Sequence, residues 1–193
     1  MTNHKRKELN ELIASDLKRY GIADFKKLSF FEKKELFGFH YMKCLRLTKY
    51  HKKNGNRVRF LFYRYKLFRL SQKYGIQIPY STSIDKGFYI GHCGGVIVNC
   101  NAKIGKNVNI AQGVTIGATN RGEKIGVPTI GNEVWIGANS VVVGNITIGD
   151  DVMICPNCFV NESIPSHSIV INSSCTIKQR DNATYKYIEN KVE

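Results

Sequence analysis

From Ile130 to Val160 the chain reads IGNEVWIGANSVVVGNITIGDDVMICPNCFV. Aliphatic residues recur at every sixth position, at Ile130, Ile136, Val142, Ile148, Ile154 and Val160. Four residues after each aliphatic stands a mostly small or β-branched residue: Val134, Ser140, Val152 and Cys158, with Ile146 the largest exception. A period of six matches neither the 3.6 of an α-helix nor the simple alternation of a two-sided strand. It fits short strands joined by tight corners, three sides to a coil, with each aliphatic residue pointing inward and stacking on its equivalent one coil away. Glycine follows the aliphatic residue at Gly131, Gly137 and Gly149, where it is expected to supply backbone angles that other residues resist. Each coil buries its apolar corners only against its neighbours, so stability is shared along the stack. A β-sandwich with coincidental spacing does not give such a run.

The pattern extends upstream. Ile78, Ile84, Ile90 and Val96 are six apart; the phase then slips by two and resumes at Val98, Ile104, Ile110 and Ile116. Gly91, Gly105 and Gly117 again follow aliphatic residues, and Ala102, Val108 and Val114 take the small positions. Asparagines at 99, 101, 107, 109, 132, 139 and 145 are expected to serve the corners, tolerating the left-handed conformation and bonding locally. Between Ile116 and Ile130 the spacing is one hexad plus eight residues. The polar, glycine-bearing segment Thr119–Pro128 is expected to leave the coils as an extended loop, a common carrier of function on a rigid scaffold.

The charge is unevenly placed. The whole chain has a formal net charge of +14; residues 1–75 hold 20 Lys+Arg and 6 Asp+Glu, whereas 76–193 hold 9 and 9. A basic unit is thus joined to a neutral one. Residues 4–20 read as a helix with Leu9, Leu12, Ile13 and Leu17 on one face, and 30–53 as a second, basic helix. Asn54-Gly55-Asn56 is a break. Residues 57–74 form a third helix that interleaves aromatic and aliphatic residues with Arg57, Arg59, Arg64, Lys66 and Arg69. Such a helix either packs on the end of the coils, covering their open strand edge, or meets an anionic membrane surface. No nucleic-acid-binding motif accompanies the charge, so nucleic acid is not an expected partner. The organisation expected is a basic α-helical region over 1–75, the coiled repeat over 76–178 and a tail over 179–193.

No apolar run approaches the ~20 residues of a membrane-spanning helix, and the N-terminus shows no signal core. The expected location is cytoplasmic, with the inner face of the membrane within reach of the basic helices. The six cysteines are then expected to be reduced. Cys155 and Cys158 have C-x-x-C spacing, but no second pair or βαβ context supports a zinc or redox site; no metal is expected.

The segments Ile90-Gly91-His92-Cys93-Gly94-Gly95-Val96-Ile97-Val98, Gly113-Val114-Thr115-Ile116-Gly117 and Pro128-Thr129-Ile130-Gly131-Asn132-Glu133-Val134-Trp135-Ile136-Gly137-Ala138 resemble the hexapeptide-repeat acyltransferases. Within them they are similar to serine acetyltransferases and capsule or exopolysaccharide O-acetyltransferases. The resemblance implies a mainly β fold, a left-handed parallel β-helix, assembled as a homotrimer with acetyl-CoA as co-substrate between adjacent prisms. Moving acetyl from a thioester to an alcohol requires removal of the alcohol proton, donors for the oxyanion and a proton for the leaving thiolate. Histidine suits the first and last tasks, and backbone N–H groups the second. The resemblance assigns the base to His92. It further implies that the pantetheine arm lies along the Gly117-Ala118 and Gly137-Ala138 corners, with Trp135 either walling the groove or packing between subunits. Lys178 and Arg180 stand where the nucleotide phosphates would be met. Cys93 as an acyl-carrying nucleophile is disfavoured, because neighbours on a strand face opposite ways.

The chain also departs from that pattern. Serine acetyltransferases carry an acid immediately before the histidine, where this chain has Gly91, and Arg-His before the Pro-x-Ile, where it has Gly126-Val127. Those groups would grip the ammonium and carboxylate of serine, so the expected acceptor is a sugar hydroxyl in a glycan or its precursor, with serine as the alternative. The histidine-orienting acid falls at Gln77, which can accept the imidazole N–H but brings no charge. Asp85, seven residues before His92, is the other candidate orienter; sequence alone does not choose between them. Two readings from other classes are a non-catalytic trimeric scaffold and a β-helix zinc enzyme, and the second lacks the three histidines it needs.

Overall fold

The computed structural model describes residues 2–22 and 24–171, with the side chains of 2 and 3 left aside. Four α-helices open the chain: α1 (Thr2–Lys18), α2 (Phe30–Glu35), α3 (Phe37–Lys53) and α4 (Arg57–Tyr74). Asn56 caps α4 by accepting from the Arg59 N–H at 3.0 Å, and Gly75 closes it in the left-handed conformation, the position where a residue without Cβ costs least. The expected second helix is two helices, split at Leu36 (ψ 47°), where the chain turns out of a short first segment capped by Ser29 and Glu32.

The strands follow in chain order: β1 (Ile76–Gln77), β2 (Ser83–Ile84), β3 (Tyr89–Ile90), β4 (Val96–Val98), β5 (Lys103–Ile104), β6 (Asn109–Ile110), β7 (Thr115–Gly117), β8 (Thr129–Ile130), β9 (Trp135–Ile136), β10 (Val141–Val143), β11 (Thr147–Ile148), β12 (Val152–Ile154), β13 (Phe159–Val160) and β14 (Ser168–Val170). They pair in parallel as three faces, β1-β4-β7-β10-β13, β2-β5-β8-β11 and β3-β6-β9-β12-β14. The chain is therefore a parallel β-helix, each of the first four coils contributing one strand to each face and the last coil only a single bridge, Ile164 to Ile148, to the second.

The inward column follows the hexad. Ile84, Ile104, Ile130 and Ile148 stand in register on the second face, and Ile90, Ile110, Ile136 and Ile154 on the third. All of these, and all the small positions from Ala102 to Cys158, are buried. The glycines after the aliphatics act differently from the expectation: Gly91, Gly105, Gly117, Gly131, Gly137 and Gly149 do not have positive φ. Gly105, Gly131, Gly137 and Gly149 instead let the backbone of the next coil approach. A Cβ on Gly131 would lie 2.6 Å from the Gly149 carbonyl oxygen. The left-handed corners belong instead to Asn107, Glu133, Asn139, Asp151 and Asn157 among others, so the asparagines divide. Asn107 and Asn139 supply the angle, whereas Asn132 accepts the Lys106 N–H with its side chain at 2.9 Å, tying one coil to the next.

The helices close the open end of the stack. Tyr41 of α3 bonds both the N–H and the C=O of Ile78, each at 3.0 Å. Tyr20 treats Ile90 in the same way, and Arg46 donates to the Ile84 and Asp85 carbonyls. Each of the three faces thus has its first edge met by a side chain of the helical unit, which satisfies backbone groups that would otherwise be left bare. Asp16 accepts from the Gly87 and Phe88 N–H groups at 3.0 Å and pairs with Arg46 at 3.0 Å, with both side chains buried. Burial raises the Asp16 pKa, and the Arg46 guanidinium pulls it the other way.

The loop after β7 does not stay extended. Thr119 and Gly126 exchange two backbone hydrogen bonds of 3.0 Å as an antiparallel bridge. Its far side folds back on the later coils, where the Lys124 carbonyl accepts from the Asn145 N–H and the Lys124 ammonium donates to the Asn161 carbonyl.

Candidate active site

The two-residue slip in the repeat has a definite place. In the corner column running from the third face to the first, Gly113 N–H bonds the Gly94 carbonyl, Asn139 N–H bonds Gln112, and Asn157 N–H bonds Ala138. Gly94, Gln112 and Ala138 are therefore equivalent. On the preceding side Gly91 and Ala111 are equivalent, bonding Ile110 and Ile136 through their N–H groups. The corner after β3 contains two residues more than the others, and those two are His92 and Cys93. An insertion with no place in the stack must project from it, and His92 is exposed.

Beneath this projection runs a groove lined by Tyr89, His92, Asn109, Gln112, Trp135 and Ala138, with Pro156 closing one end. Tyr89, Asn109 and Trp135 form one outward column, each directly opposite the next in the strand register. The lining is uncharged apart from any charge on His92. The small residues Ala111 and Ala138 leave the groove open beside the imidazole. Gly137 is buried in the corner behind Ala138, and a Cβ there would lie 2.5 Å from the Pro156 nitrogen. Its missing side chain lets the next coil approach.

The structure brings together His92, Trp135 and Ala138 of the residues singled out in the sequence. It does not bring Gln77 to His92: Gln77 faces outward on β1 and lines a separate groove between α4 and the first face, with Arg64, Phe68, Tyr80 and Ile97. The Asp85 carboxylate accepts the N–H of its own neighbour Lys86 at 2.7 Å and forms no hydrogen bond with His92. Gly117 and Ala118 stand at the end of β7, where the loop departs on the first face. Lys178 and Arg180 lie outside the described residues. Cys93 is exposed, and what burial it has raises its thiol pKa, with Lys73 lowering it in part; a raised pKa is unfavourable for a nucleophile.

Sequence reading missed Tyr89, Asn109, Gln112 and Pro156. The signal was present: each occupies the same place in its coil as a residue already singled out, Tyr89 and Asn109 with Trp135, Gln112 and Pro156 with Ala138. Arg19, just past the end of α1, was also missed; its guanidinium donates to the Asn109 side chain at the groove's edge. Substituting Ala138→Leu should fill the groove next to His92. The expected result is a rise of about tenfold in KM for acetyl-CoA, of the size expected when a well-placed chain is displaced, with the thermal midpoint little changed.

A sequence profile described as bacterial transferase hexapeptide (six repeats) matches residues 128–162. The chain is 35% identical over 146 residues to a serine acetyltransferase of Helicobacter pylori, covering 75% of this chain and 82% of that one. It is 39% identical over 107 residues to a serine acetyltransferase of Staphylococcus xylosus, covering 55% and 50%. Among solved structures it is similar to serine acetyltransferase isoform 3 of Entamoeba histolytica in complex with cysteine, with TM-score 0.74, 30% identity and coverage of 95% and 65%. It is also similar to the Neisseria gonorrhoeae serine acetyltransferase in complex with serine, with TM-score 0.70, 26% identity and coverage of 86% and 68%. The chain thus spans most of the Helicobacter relative, half of the staphylococcal one and 65% of the amoebal structure.

Proposed function

This chain belongs to the serine acetyltransferase family of hexapeptide-repeat transferases and is an acetyl-CoA-using acyltransferase, and from that premise we propose direct transfer of acetyl to the hydroxyl of serine with His92 as base. The observation that carries the reading is the two-residue projection of His92 over an uncharged groove. The imidazole takes the proton of the acceptor hydroxyl as its oxygen attacks the thioester carbonyl, and returns it to the departing thiolate. Backbone N–H groups of the inserted corner serve as donors for the oxyanion, those of Gly91 and Gly94 excepted, which bond the Ile110 and Tyr74 carbonyls. Gln77 as the orienter of His92 requires a second chain beside the first face. A homotrimer supplies that neighbour, and apolar residues left exposed on the first and third faces, Ile97, Phe159, Met153 and Ile169, support such packing.

A sugar hydroxyl is the second reading, favoured by a specific observation. The groove offers no carboxylate for an ammonium group, and Gly91 stands in the place of the acid. Gly126 cannot be replaced by a longer residue without rearrangement: its φ is 138°, and a Cβ would lie 2.9 Å from the Asn145 Cβ. The arginine that would meet a serine carboxylate therefore has no room there. Incubating the protein with acetyl-CoA and either L-serine or a panel of sugars, while following thiol release, separates the two. Acetylserine as the main product is the result expected here. Turnover of a sugar with none of serine transfers the assignment to the second reading, and no turnover of any hydroxyl contradicts both.

A further inference from the structure

α4 has an outward side that no part of the described chain covers. It packs mainly against α3 and to a lesser extent against β1, with Phe60 and Leu67 buried. Opposite them, at helical spacing, Val58, Leu61, Phe62, Tyr65 and Phe68 are 80%, 52%, 60%, 61% and 57% exposed. Residues i, i+3, i+4, i+7 and i+10 lie on one side of a helix, so these five make a single apolar strip. Arg57 and Arg64 flank it on one side and Arg59, Lys66 and Lys73 on the other, while Arg69 continues its line one turn past Tyr65, donating to the Tyr65 hydroxyl at 3.1 Å. The 18-residue helix contains no acidic residue.

We propose that this face of α4 is a docking surface for an anionic phospholipid bilayer. An apolar aromatic strip between two rows of cations is what a helix lying in the headgroup layer requires. The strip enters the acyl boundary and the cations meet lipid phosphates. At about 27 Å the helix is long enough to lie flat, and no helix among the described residues is long and apolar enough to cross a membrane. A second copy of the same face is a poor occupant, because it would bring two acid-free rows of cations together across a low-dielectric contact.

The test uses the full chain and vesicle co-sedimentation. Binding is expected to vesicles of equal parts phosphatidylglycerol and phosphatidylcholine, to fall in high salt, and to be absent with phosphatidylcholine alone. The Lys66→Gln/Arg69→Gln variant should partition about 30-fold less, since each cation near the surface contributes about a fivefold factor. The Leu61→Ser/Phe62→Ser variant should not bind measurably. Far-UV circular dichroism and thiol release in the absence of vesicles should stay at parental levels in both. No binding to the anionic vesicles, equal binding to both compositions, or undiminished binding by both variants overturns the proposal. So does a solution mass that drops on Leu61→Ser/Phe62→Ser while vesicle binding is nil, which would assign the face to self-association.

Discussion

Replacing His92 by alanine is expected to lower acetyl transfer by about 10²- to 10⁴-fold, the range for loss of a positioned acid–base group, with kcat taking most of the loss. His92 is exposed in a corner insertion and contributes nothing to the buried stack, so the thermal midpoint should stay within a degree or two. The measurement is steady-state thiol release alongside a thermal melt. A variant with unchanged kcat would remove the imidazole from the reaction. A variant that unfolds would show that the corner has a packing role its exposure does not reveal. The Cys93→Ser change next to it should be nearly silent, which separates general-base chemistry from an acyl-cysteine route.

The second large effect concerns stability. Asp16→Ala should destabilise the fold by about 3–5 kcal/mol, because it leaves the Arg46 guanidinium buried without its charge partner and strips the Gly87 and Phe88 N–H groups of their acceptor. For a chain of this size that is a drop of about 10 °C in Tm, readable by calorimetry. Arg46→Met alone should be comparably harmful, since it leaves the Asp16 carboxylate buried without its partner and frees the Ile84 and Asp85 carbonyls. The double variant should recover part of the loss, the mark of coupled residues. Additive losses would mean that the pair contributes little beyond its separate hydrogen bonds.

These two predictions draw on different levels of the sequence. The β-helix was legible because Ile130 to Val160 repeats without interruption, and each inward side chain has the same neighbour one coil away. Helix boundaries were legible from Asn54-Gly55-Asn56 and from the apolar spacing in α4. The glycines were assigned the wrong physical task, since a one-dimensional repeat does not reveal that the limiting quantity is the distance between coils. The capping of the coil end by Tyr20, Tyr41 and Arg46 was not legible at all; it depends on contacts between residues up to 70 positions apart. At the site, His92 and Trp135 stood out as rare residue types, whereas Tyr89, Asn109 and Gln112 are ordinary residues that only the strand register brings beside them. The orienter of the imidazole was left open between Gln77 and Asp85, and within one chain neither reaches it, because both sit on other faces of the prism.

The central claim is that the imidazole inserted between Gly91 and Gly94 faces the thioester. A crystal structure of the protein with coenzyme A bound tests it most directly. The account predicts the pantetheine arm along the groove past Ala138 and Trp135, with its sulfur about 3–4 Å from the His92 ring, within the reach of proton transfer. Coenzyme A seated elsewhere, with the ring turned to open solvent, would contradict it.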